Sequence, residues 1–434
     1  MPSAARRLSA ALTGVTVDIG ALRESRPFRR LSAGQLVSLV GRQITVVAVP
    51  YQVYTATGSV VLVGLLGLVQ VVPLISVSLA LGGIADRFDR RRLLLLTQAL
   101  LALCSAALLV GALRHAPVIY VFVVVAAASA VAAVDSPTRA AIVPNIVSPG
   151  RLAGALSVNI AMFQTALVAG PALGGLTIAH FGLAGAYLID VVSFLAALGA
   201  VWSLPPQPPR GSHHESLQKA LAEAVGFIRR RPVILGGYAM DLSAMIFGLP
   251  RAVFPVLAAT TFRTSAQGLG YLYAAPAAGA VLASLSSGWL SRSSRLGRVV
   301  ILAIGFWGFA IVAFGFTTSL GLGLLLLALA GGADALSAVC RTAIVQTLTP
   351  DELRGRLSAT YFMVVVGGPF LGDLEAGLVA GLTSPRVSVV AGGVLCVAGL
   401  GVAAVLFPQV WAYRGRATDV PPAMTDDAVA GPPV

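Results

Sequence analysis

The sequence predicts an all-α integral membrane protein with twelve transmembrane helices in two pseudo-symmetric six-helix bundles. Three observations support this fold: an apolar composition, twelve apolar runs of membrane-spanning length, and an internal repeat. Of the 434 residues, 57% are apolar and only 11% are charged, with a mean hydropathy of +0.88. Soluble globular chains carry about 25% charged residues, so this composition indicates a polytopic membrane protein.

The apolar runs define the predicted helices, because a bilayer core of about 30 Å requires about 20 apolar residues per helix. Such runs lie near residues 32–55, 59–81, 93–113, 117–138, 154–179, 183–204, 233–261, 267–290, 299–317, 320–340, 357–382 and 387–408. We expect an N-terminal segment at 1–30, a first bundle at 31–204, a linker at 205–232, a second bundle at 233–410 and a disordered tail at 411–434.

The internal repeat consists of two stretches, about 200 residues apart, that are near copies of each other. Residues 139–157 begin Arg-Ala-Ala-Ile-Val, and residues 341–358 begin Arg-Thr-Ala-Ile-Val. The segment Gly170-Pro-Ala-Leu-Gly174 likewise matches Gly368-Pro-Phe-Leu-Gly372. Such a repeat in an apolar chain is typical of secondary transporters, whose substrate site lies between two related bundles.

The distribution of positive charge predicts the orientation in the membrane. If both termini are cytoplasmic, the inner segments carry 25 of the 30 basic residues, as expected for cytoplasmic loops. We therefore expect a multi-pass protein of the cell membrane, and no nucleic-acid partner despite the net charge of +13. In the linker an apolar stripe at helical spacing predicts an amphipathic helix on the inner membrane face. The stripe consists of Leu217, Leu221, Val225 and Ile228.

The loop after helix two carries the sequence Gly82-Gly-Ile-Ala-Asp86-Arg87-Phe-Asp-Arg90-Arg91. Its length, charge order and position resemble the signature loop of the major facilitator superfamily, although Asp89 stands where the family usually has glycine. The resemblance implies a latch between the two halves on the cytoplasmic side; the alternative is an ordinary positive loop. We expect Asp86 at the amino end of helix three, where a carboxylate is favourable. We expect the arginines to face lipid phosphate or acidic partners.

Helix five carries Gly170-Pro171-Ala-Leu-Gly174-Gly175, which is similar to a motif of drug–proton antiporters in this superfamily. Helix eleven repeats the motif with Gly368, Pro369 and Gly372, and Asp373 replaces the last glycine. Such residues permit a kink and close helix packing. The alternative to an antiporter-type function for the motif is a kink that serves packing alone.

From helix two to helix twelve the chain resembles bacterial exporters of the enterobactin-exporter type and related multidrug permeases. The supporting segments are Val47-Ala-Val-Pro50, Gly270-Tyr-Leu-Tyr-Ala-Ala275 and Gly372-Asp373. The resemblance implies export of a small molecule, either a siderophore or a drug-like compound.

Acidic residues within the predicted helices are candidates for proton coupling, because an ionisable group in a bilayer is costly without a partner or a cavity. We select Asp373, Asp241 and Asp334; a structural hydrogen bond or a local ion pair with Arg341 is the alternative. Asp373 and Glu375 point roughly 200° apart on a helix, so they do not act as a pair. Asp190 lies on helix six, which we expect to be peripheral.

Arg42 on helix one is the candidate contact for an anionic group of the substrate, and an ion pair with Asp241 is the alternative. Asp135 and Arg139 lie four residues apart on helix four. We expect them either to gate the inner end or to pair along the helix. Arg341 is the repeat counterpart of Arg139 and is a gating candidate for the same reason. Uncharged residues complete the expected cavity, which suits a bulky amphipathic compound. They are Gln43, Gln164, Tyr238 and Tyr361.

These features predict a secondary active transporter that exports a small amphipathic molecule by proton antiport with alternating access. The alternative is an uptake permease of the same fold. A membrane-embedded enzyme or a receptor is disfavoured, because clustered catalytic ligands and long loops are missing from the sequence. No phosphate-binding loop of the Gly-x-x-x-x-Gly-Lys-Ser type occurs, so we expect no direct use of ATP and no cofactor or metal. Since both halves lie in one chain, we expect a monomer whose partners are substrate, protons and the lipid bilayer.

Overall fold

The computed structural model describes residues 20–81, 84–209 and 217–415. Within these ranges the side chains of residues 85–86, 217–221, 291–292, 351–352, 354–356 and 358–366 are not described. The membrane-length helices are numbered in chain order as α1 Arg26–Thr57, α2 Val60–Leu81, α3 Arg90–Leu113, α4 Val118–Ile146, α5 152–181, α6 183–202, α7 Pro232–Thr261, α8 Ala266–Leu285, α9 Leu296–Phe316, α10 Leu320–Leu348, α11 Asp351–Leu382 and α12 Pro385–Leu406.

The described residues include ten helical segments that are long and apolar enough to cross a membrane. One of them, Pro149–Trp202, contains two helices that meet at Gly182, where φ is 67° and ψ is −174°. This left-handed backbone favours glycine because it has no Cβ. If α5 and α6 are counted separately and α11 is added, the number of long helices is consistent with the twelve predicted spans.

Short helices connect the long ones. Gly20–Glu24 precedes α1, and Ile84–Arg87 lies between α2 and α3. In the predicted linker, Leu217–Arg229 forms a helix, and its buried Ala224 and Ile228 pack against a cluster that includes Ile234 and Tyr238 of α7. The first 19 residues, Gly82 of the signature loop and the tail from residue 416 lie outside the described residues.

The helices alternate in direction, so α1 begins and α12 ends at the same end of the molecule. We call this end the arginine-rich end, because Arg90–Arg92 and Arg229–Arg231 lie there. Helices α1 to α6 pack mainly with one another, as do α7 to α12. The main contacts between these two groups are made by α2 with α11 and by α5 with α8.

Glycines bring the two halves together at the end of the molecule opposite the arginine-rich end. A Cβ added at Gly377 of α11 would lie 2.6 Å from the Cα of Gly64 in α2. A Cβ added at Gly175 of α5 would lie 2.8 Å from the Cα of Gly270 in α8. Because such backbone approach requires glycine on both sides, these two contacts form a closely packed seal.

The predicted repeat motifs of helices five and eleven lie at helix contacts. Gly170 and Gly174 of α5 pack against α1, and a Cβ at Gly174 would lie 3.1 Å from the Cα of Ile44. Gly368 and Gly372 of α11 pack against α7 in the same way, next to Met245. The repeated glycines therefore set equivalent helix contacts in the two halves.

Helix α7 is interrupted near its middle. Its first part ends at Phe247, and the chain resumes helical structure at Arg251–Val253. The side chain of Trp307 donates to the carbonyl oxygen of Gly248 at 2.9 Å, which satisfies an acceptor freed by the break. The interruption determines where Arg251 lies relative to α11.

Candidate functional site

A cavity of about 380 Å³ lies at the centre of the molecule. Residues of α1 to α6 form most of its wall, and α7, α8 and α11 complete it. The lining is largely apolar, with four charged residues: Arg42, Asp190, Arg251 and Asp373. A cavity of this size and character fits a small drug-sized molecule, because known ligand pockets span about 300–1,000 Å³ with few polar groups.

Arg42 on α1 lines the cavity, as does the predicted Gln43 beside it. The Nε atom of Arg42 is buried without a hydrogen-bond partner. Among the described ion pairs none includes Arg42, although Asp135 and Asp190 are near enough to interact with it electrostatically. The alternative considered from the sequence, an ion pair between Arg42 and Asp241, is therefore wrong, because Asp241 pairs with Arg341.

Asp190 on α6 also lines the cavity, although only 1% of its surface is exposed. Its Oδ2 atom accepts hydrogen bonds from Thr45 of α1 at 2.8 Å and from Ser105 of α3 at 2.6 Å. The expectation that Asp190 is peripheral is wrong, because α6 packs closely against α1 at this level. A Cβ at Gly41 would lie 3.0 Å from Asp190 Oδ1, so glycine makes this approach possible.

Asp373 on α11 lies at the closed end of the cavity. Its Oδ2 accepts a hydrogen bond from Arg251 of α7 at 2.7 Å. The backbone of Asp373 also contacts α2, since a Cβ at Gly64 would lie 2.7 Å from its carbonyl oxygen. The pair therefore joins the interrupted α7 to the helix that seals against α2. This partner could not be predicted from spacing along one helix, because Arg251 follows the break in α7.

Asp241 and Asp334 meet the same arginine within the second half. Arg341 of α10 lies 2.7 Å from Asp241 of α7 and 3.7 Å from Asp334 of α10. Asp241 is fully buried and Arg341 is 4% exposed at its side chain. The expected pairing of Asp334 with Arg341 is observed, but Asp241 is the closer acid, which explains why it does not reach Arg42.

Asp135 and Arg139 form an ion pair along α4, at 3.1 Å, as the spacing predicts. Thr97 and Gln98 of α3 donate to Asp135 Oδ1 at 2.8 and 2.6 Å. These four side chains are buried, so the hydrogen bonds of α3 compensate for part of the cost of burying the charges. The pair therefore fixes α4 against α3 and is balanced in charge.

The signature loop differs from its sequence-based expectations. The N-cap of α3 is Asp89, whose Oδ1 accepts from the backbone of Arg92 at 2.9 Å. Asp86 instead belongs to the short helix Ile84–Arg87, so its predicted place at the start of α3 is wrong; its side chain lies outside the described residues. The second Asp89 oxygen accepts from the backbone of Gln207 at 2.9 Å, which ties the loop to the segment after α6.

The three arginines of the loop have different surroundings, and the contacts of Arg91 correct the expectation that it faces lipid phosphate or an acidic partner. Arg90 is buried and donates to the carbonyl oxygen of Ala141 at 3.4 Å. Arg91 donates to the carbonyl oxygen of Trp202 at 2.7 Å and stacks over its ring. Arg87 is exposed. Two of the arginines therefore bind neighbouring helices of their own half.

The other predicted cavity residues are distributed differently. Gln164 does not contribute to the cavity wall formed by the described residues, and Tyr238 lines a separate small pocket beside Arg341. The side chain of Tyr361 lies outside the described residues. The expectation that Gln164 and Tyr238 line the main cavity is therefore wrong.

A further acidic contact lies outside the membrane-spanning segments, at the arginine-rich end. Glu24 accepts from the Ser148 hydroxyl at 2.9 Å and pairs with Arg151 at 3.1 Å. The hydrogen bond from Ser148, followed by that from Arg151, lowers the pKa of the Glu24 carboxyl. Because both side chains of the ion pair are about half exposed, this contact positions the short N-terminal helix and contributes little stability.

Two related groups of six helices around a central cavity with few charged residues define a secondary transporter of the major facilitator superfamily. The family model described as transmembrane secretion effector matches residues 20–424. The chain belongs to this family, and it is a multi-pass membrane transporter rather than an enzyme.

Curated relatives cover nearly the whole chain. It is 28% identical over 416 residues to the protein named enterobactin exporter EntS from Shigella boydii serotype 4. The matched region covers 94% of this chain and 97% of that protein. The protein of the same name from Escherichia coli strain SMS-3-5 matches with the same identity and coverage.

Solved structures share the fold. A bacterial homologue of the iron transporter ferroportin in an inward-facing state matches with a TM-score of 0.67 and 17% identity, over 89% of this chain and 98% of that one. A bacterial homologue of the lysosomal transporter Spinster, also inward-facing, matches with a TM-score of 0.68 and 18% identity over the same shares.

Proposed function

We propose that this chain exports a small, oxygen-rich amphipathic molecule of the siderophore class across the cytoplasmic membrane, by alternating access in exchange for protons. The family and the relatives named enterobactin exporter support export and the substrate class. The arginine-rich end faces the cytoplasm in this proposal, because basic loops remain on that side, and both chain termini are then cytoplasmic.

The conformation supports substrate entry from the cytoplasm. Helices α2 and α11, and α5 and α8, are in backbone contact at the opposite end, so the central cavity is closed toward the outside. Transport then requires these two glycine contacts to separate while the arginine-rich end closes. The signature loop, with Gly82, Asp86 and Arg87, together with Asp135, Arg139 and Arg341, contributes to that closure.

Arg42 is the observation on which the proposed binding site depends. A guanidinium group that lines an apolar cavity without an ion-pair partner among the described residues has donors available for a ligand. Oxygen atoms of a bound molecule can satisfy these donors, and a hydrogen bond to a charged group contributes about 1.5–3 kcal/mol. Apolar residues such as Val46 and Leu66 then contact the hydrophobic part of the molecule.

Acids within the membrane support the proposed proton coupling. The three acids selected from the sequence, Asp373, Asp241 and Asp334, remain candidates for the coupling group. Each lies close to an arginine, so protonation of any of them releases an ion pair and favours movement of the helices that it joins.

A binding measurement with purified protein tests the site. Enterobactin should bind the wild-type protein, and Arg42→Gln should weaken binding by about 10- to 150-fold, the equivalent of one charge-assisted hydrogen bond. Arg114→Gln is the matched control, because Arg114 is exposed beyond the end of α3. Equal affinity in the wild type and Arg42→Gln would refute the assignment. Binding of a hydrophobic cationic dye in place of enterobactin would favour a drug exporter.

A further inference from the structure

Asp190 differs in its surroundings from Asp135, Asp241, Asp334 and Asp373, each of which lies close to an arginine. Its described hydrogen bonds come from the hydroxyl groups of Thr45, Ser105 and Ser193, and none of the ion pairs between described residues includes it. Hydroxyl donors stabilise a carboxylate less than a contacting cation does. A hydroxyl can also reverse its role and accept a hydrogen bond from a protonated carboxyl group. This cluster therefore accommodates both protonation states of Asp190.

The charged groups near Asp190 and Arg42 lie on two helices, α1 and α4. Arg42 of α1 lies on the same cavity wall, and the buried Asp135–Arg139 pair of α4 balances itself in charge. The other titratable neighbours are the thiol of Cys104 on α3 and the hydroxyl of Tyr187 on α6, which donates to Gln52 at 2.6 Å. Since these two groups are neutral in ordinary conditions, Asp190 is the counter-charge that balances Arg42.

Protonation of Asp190 therefore changes the charge of the cavity wall from neutral to +1. An anionic substrate on Arg42 would bind more tightly when Asp190 carries the proton, so anion and proton would move together. Exchange in opposite directions requires that the proton and the substrate compete. An uncharged molecule that donates hydroxyl groups to the carboxylate competes with the proton, because the protonated acid is a weaker acceptor.

We propose that Asp190 binds and releases the transported proton, and that the exported molecule is uncharged, presenting hydroxyl donors to Asp190 and oxygen acceptors to Arg42. This proposal rests on the proposed exchange of a small molecule for protons. In the outward-open state the carboxylate takes a proton from external water and the substrate leaves. In the inward-open state the O–H bond breaks, the proton enters cytoplasmic water, and a substrate hydroxyl takes its place as donor to the carboxylate.

The first test measures protonation without any substrate. Infrared difference spectra of the whole protein in lipid nanodiscs should show a protonated carboxyl band that disappears as the pH rises. Asp190→Asn should remove this band, while the control Glu24→Gln, which removes a half-exposed carboxyl at the arginine-rich end, should keep it. Retention of the full band in a folded Asp190→Asn protein would overturn the proposal.

A second variant, Ser105→Ala, tests the assignment of the band even if Asp190→Asn does not fold. Ser105→Ala removes one hydroxyl donor that stabilises the carboxylate, so the band should persist to higher pH than in the wild type. An unchanged pH dependence in Ser105→Ala would contradict the assignment of the band to Asp190.

The second test examines competition, with enterobactin as the probe. Addition of enterobactin to weakly buffered wild-type protein should release protons. Asp190→Asn, which resembles the protonated acid, should bind enterobactin more weakly and release no protons. Proton uptake on binding would overturn the proposed competition. Failure of enterobactin to bind at all would refute the proposed substrate class, whereas the infrared band would still decide the role of Asp190.

Discussion

The seal between α2 and α11 allows a quantitative prediction. A Cβ at Gly377 would lie 2.6 Å from the Cα of Gly64 and 3.0 Å from the carbonyl oxygen of Val60, whereas ordinary contact begins at about 3.4 Å. Gly377→Ala therefore forces the two backbones apart by roughly an ångström, because neither atom belongs to a movable side chain. Overpacking of this kind costs about 1–3 kcal/mol. The cost falls only on the state that is closed at this end, so the equilibrium should shift about 5- to 150-fold toward the open state.

The shift can be measured by distances between spin labels in the wild type and the variant. We would place labels at Ala56 and Leu382, both exposed at the opposite end, in a chain whose three cysteines are replaced. Gly377→Ala should increase the population with the longer distance, whereas Gly401→Ala, whose Cβ would meet nothing within 4 Å, should not. Identical distance distributions in the two variants would show that the glycine contact does not set the conformational equilibrium.

The remaining predictions concern individual residues and assembly. Asp373→Asn removes the ion pair with Arg251, so it should leave enterobactin binding within about twofold but slow transport about tenfold or more. Glu375→Gln is the control on the same helix. Normal transport by Asp373→Asn would show that the pair is dispensable. Asp86→Asn should impair transport about tenfold at unchanged expression, and normal transport would refute the latch. Mass measurement in mild detergent should give a monomer, because both halves lie in one chain, and an obligatory dimer would contradict this.

Much of the fold could be predicted from the sequence because it depends on local patterns. Apolar length identifies a membrane helix whatever its neighbours are, and Gly182 separates α5 from α6 between the two predicted runs. The repeated motifs at Gly170 and Gly368 indicated equivalent helix contacts, which the structure shows. The spacing of Asp135 and Arg139 likewise predicted their ion pair, since both residues lie on one helix.

The partners of the other charged residues depend on how the helices are rotated and packed. An ion pair between Asp241 and Arg42 was the alternative considered from the sequence, but Arg341 of α10 lies 2.7 Å from Asp241 and pairs with it instead. Arg251 reaches Asp373 because α7 is interrupted after Phe247, which changes the direction of the side chains beyond the break. Spacing along one helix does not show which helices are neighbours, nor how a break reorients the side chains beyond it.

Asp190 illustrates a different reason for a missed residue. Helix six was expected to be peripheral, yet Gly41 and Ser193 allow α1 and α6 to approach until Asp190 reaches the cavity wall. The three hydroxyl donors come from residues far apart in the chain, on α1, α3 and α6. Single serine and threonine residues in an apolar run give no signal of such convergence.

Transport into vesicles tests the central claim of proton-driven export most directly. In proteoliposomes whose protein molecules present the arginine-rich end outward, an acidic interior should drive accumulation of enterobactin inside, against its own gradient, as protons leave. Arg42→Gln and Asp190→Asn should abolish this accumulation, whereas Arg114→Gln should not. Accumulation driven by an alkaline interior, or none under either gradient, would contradict the account.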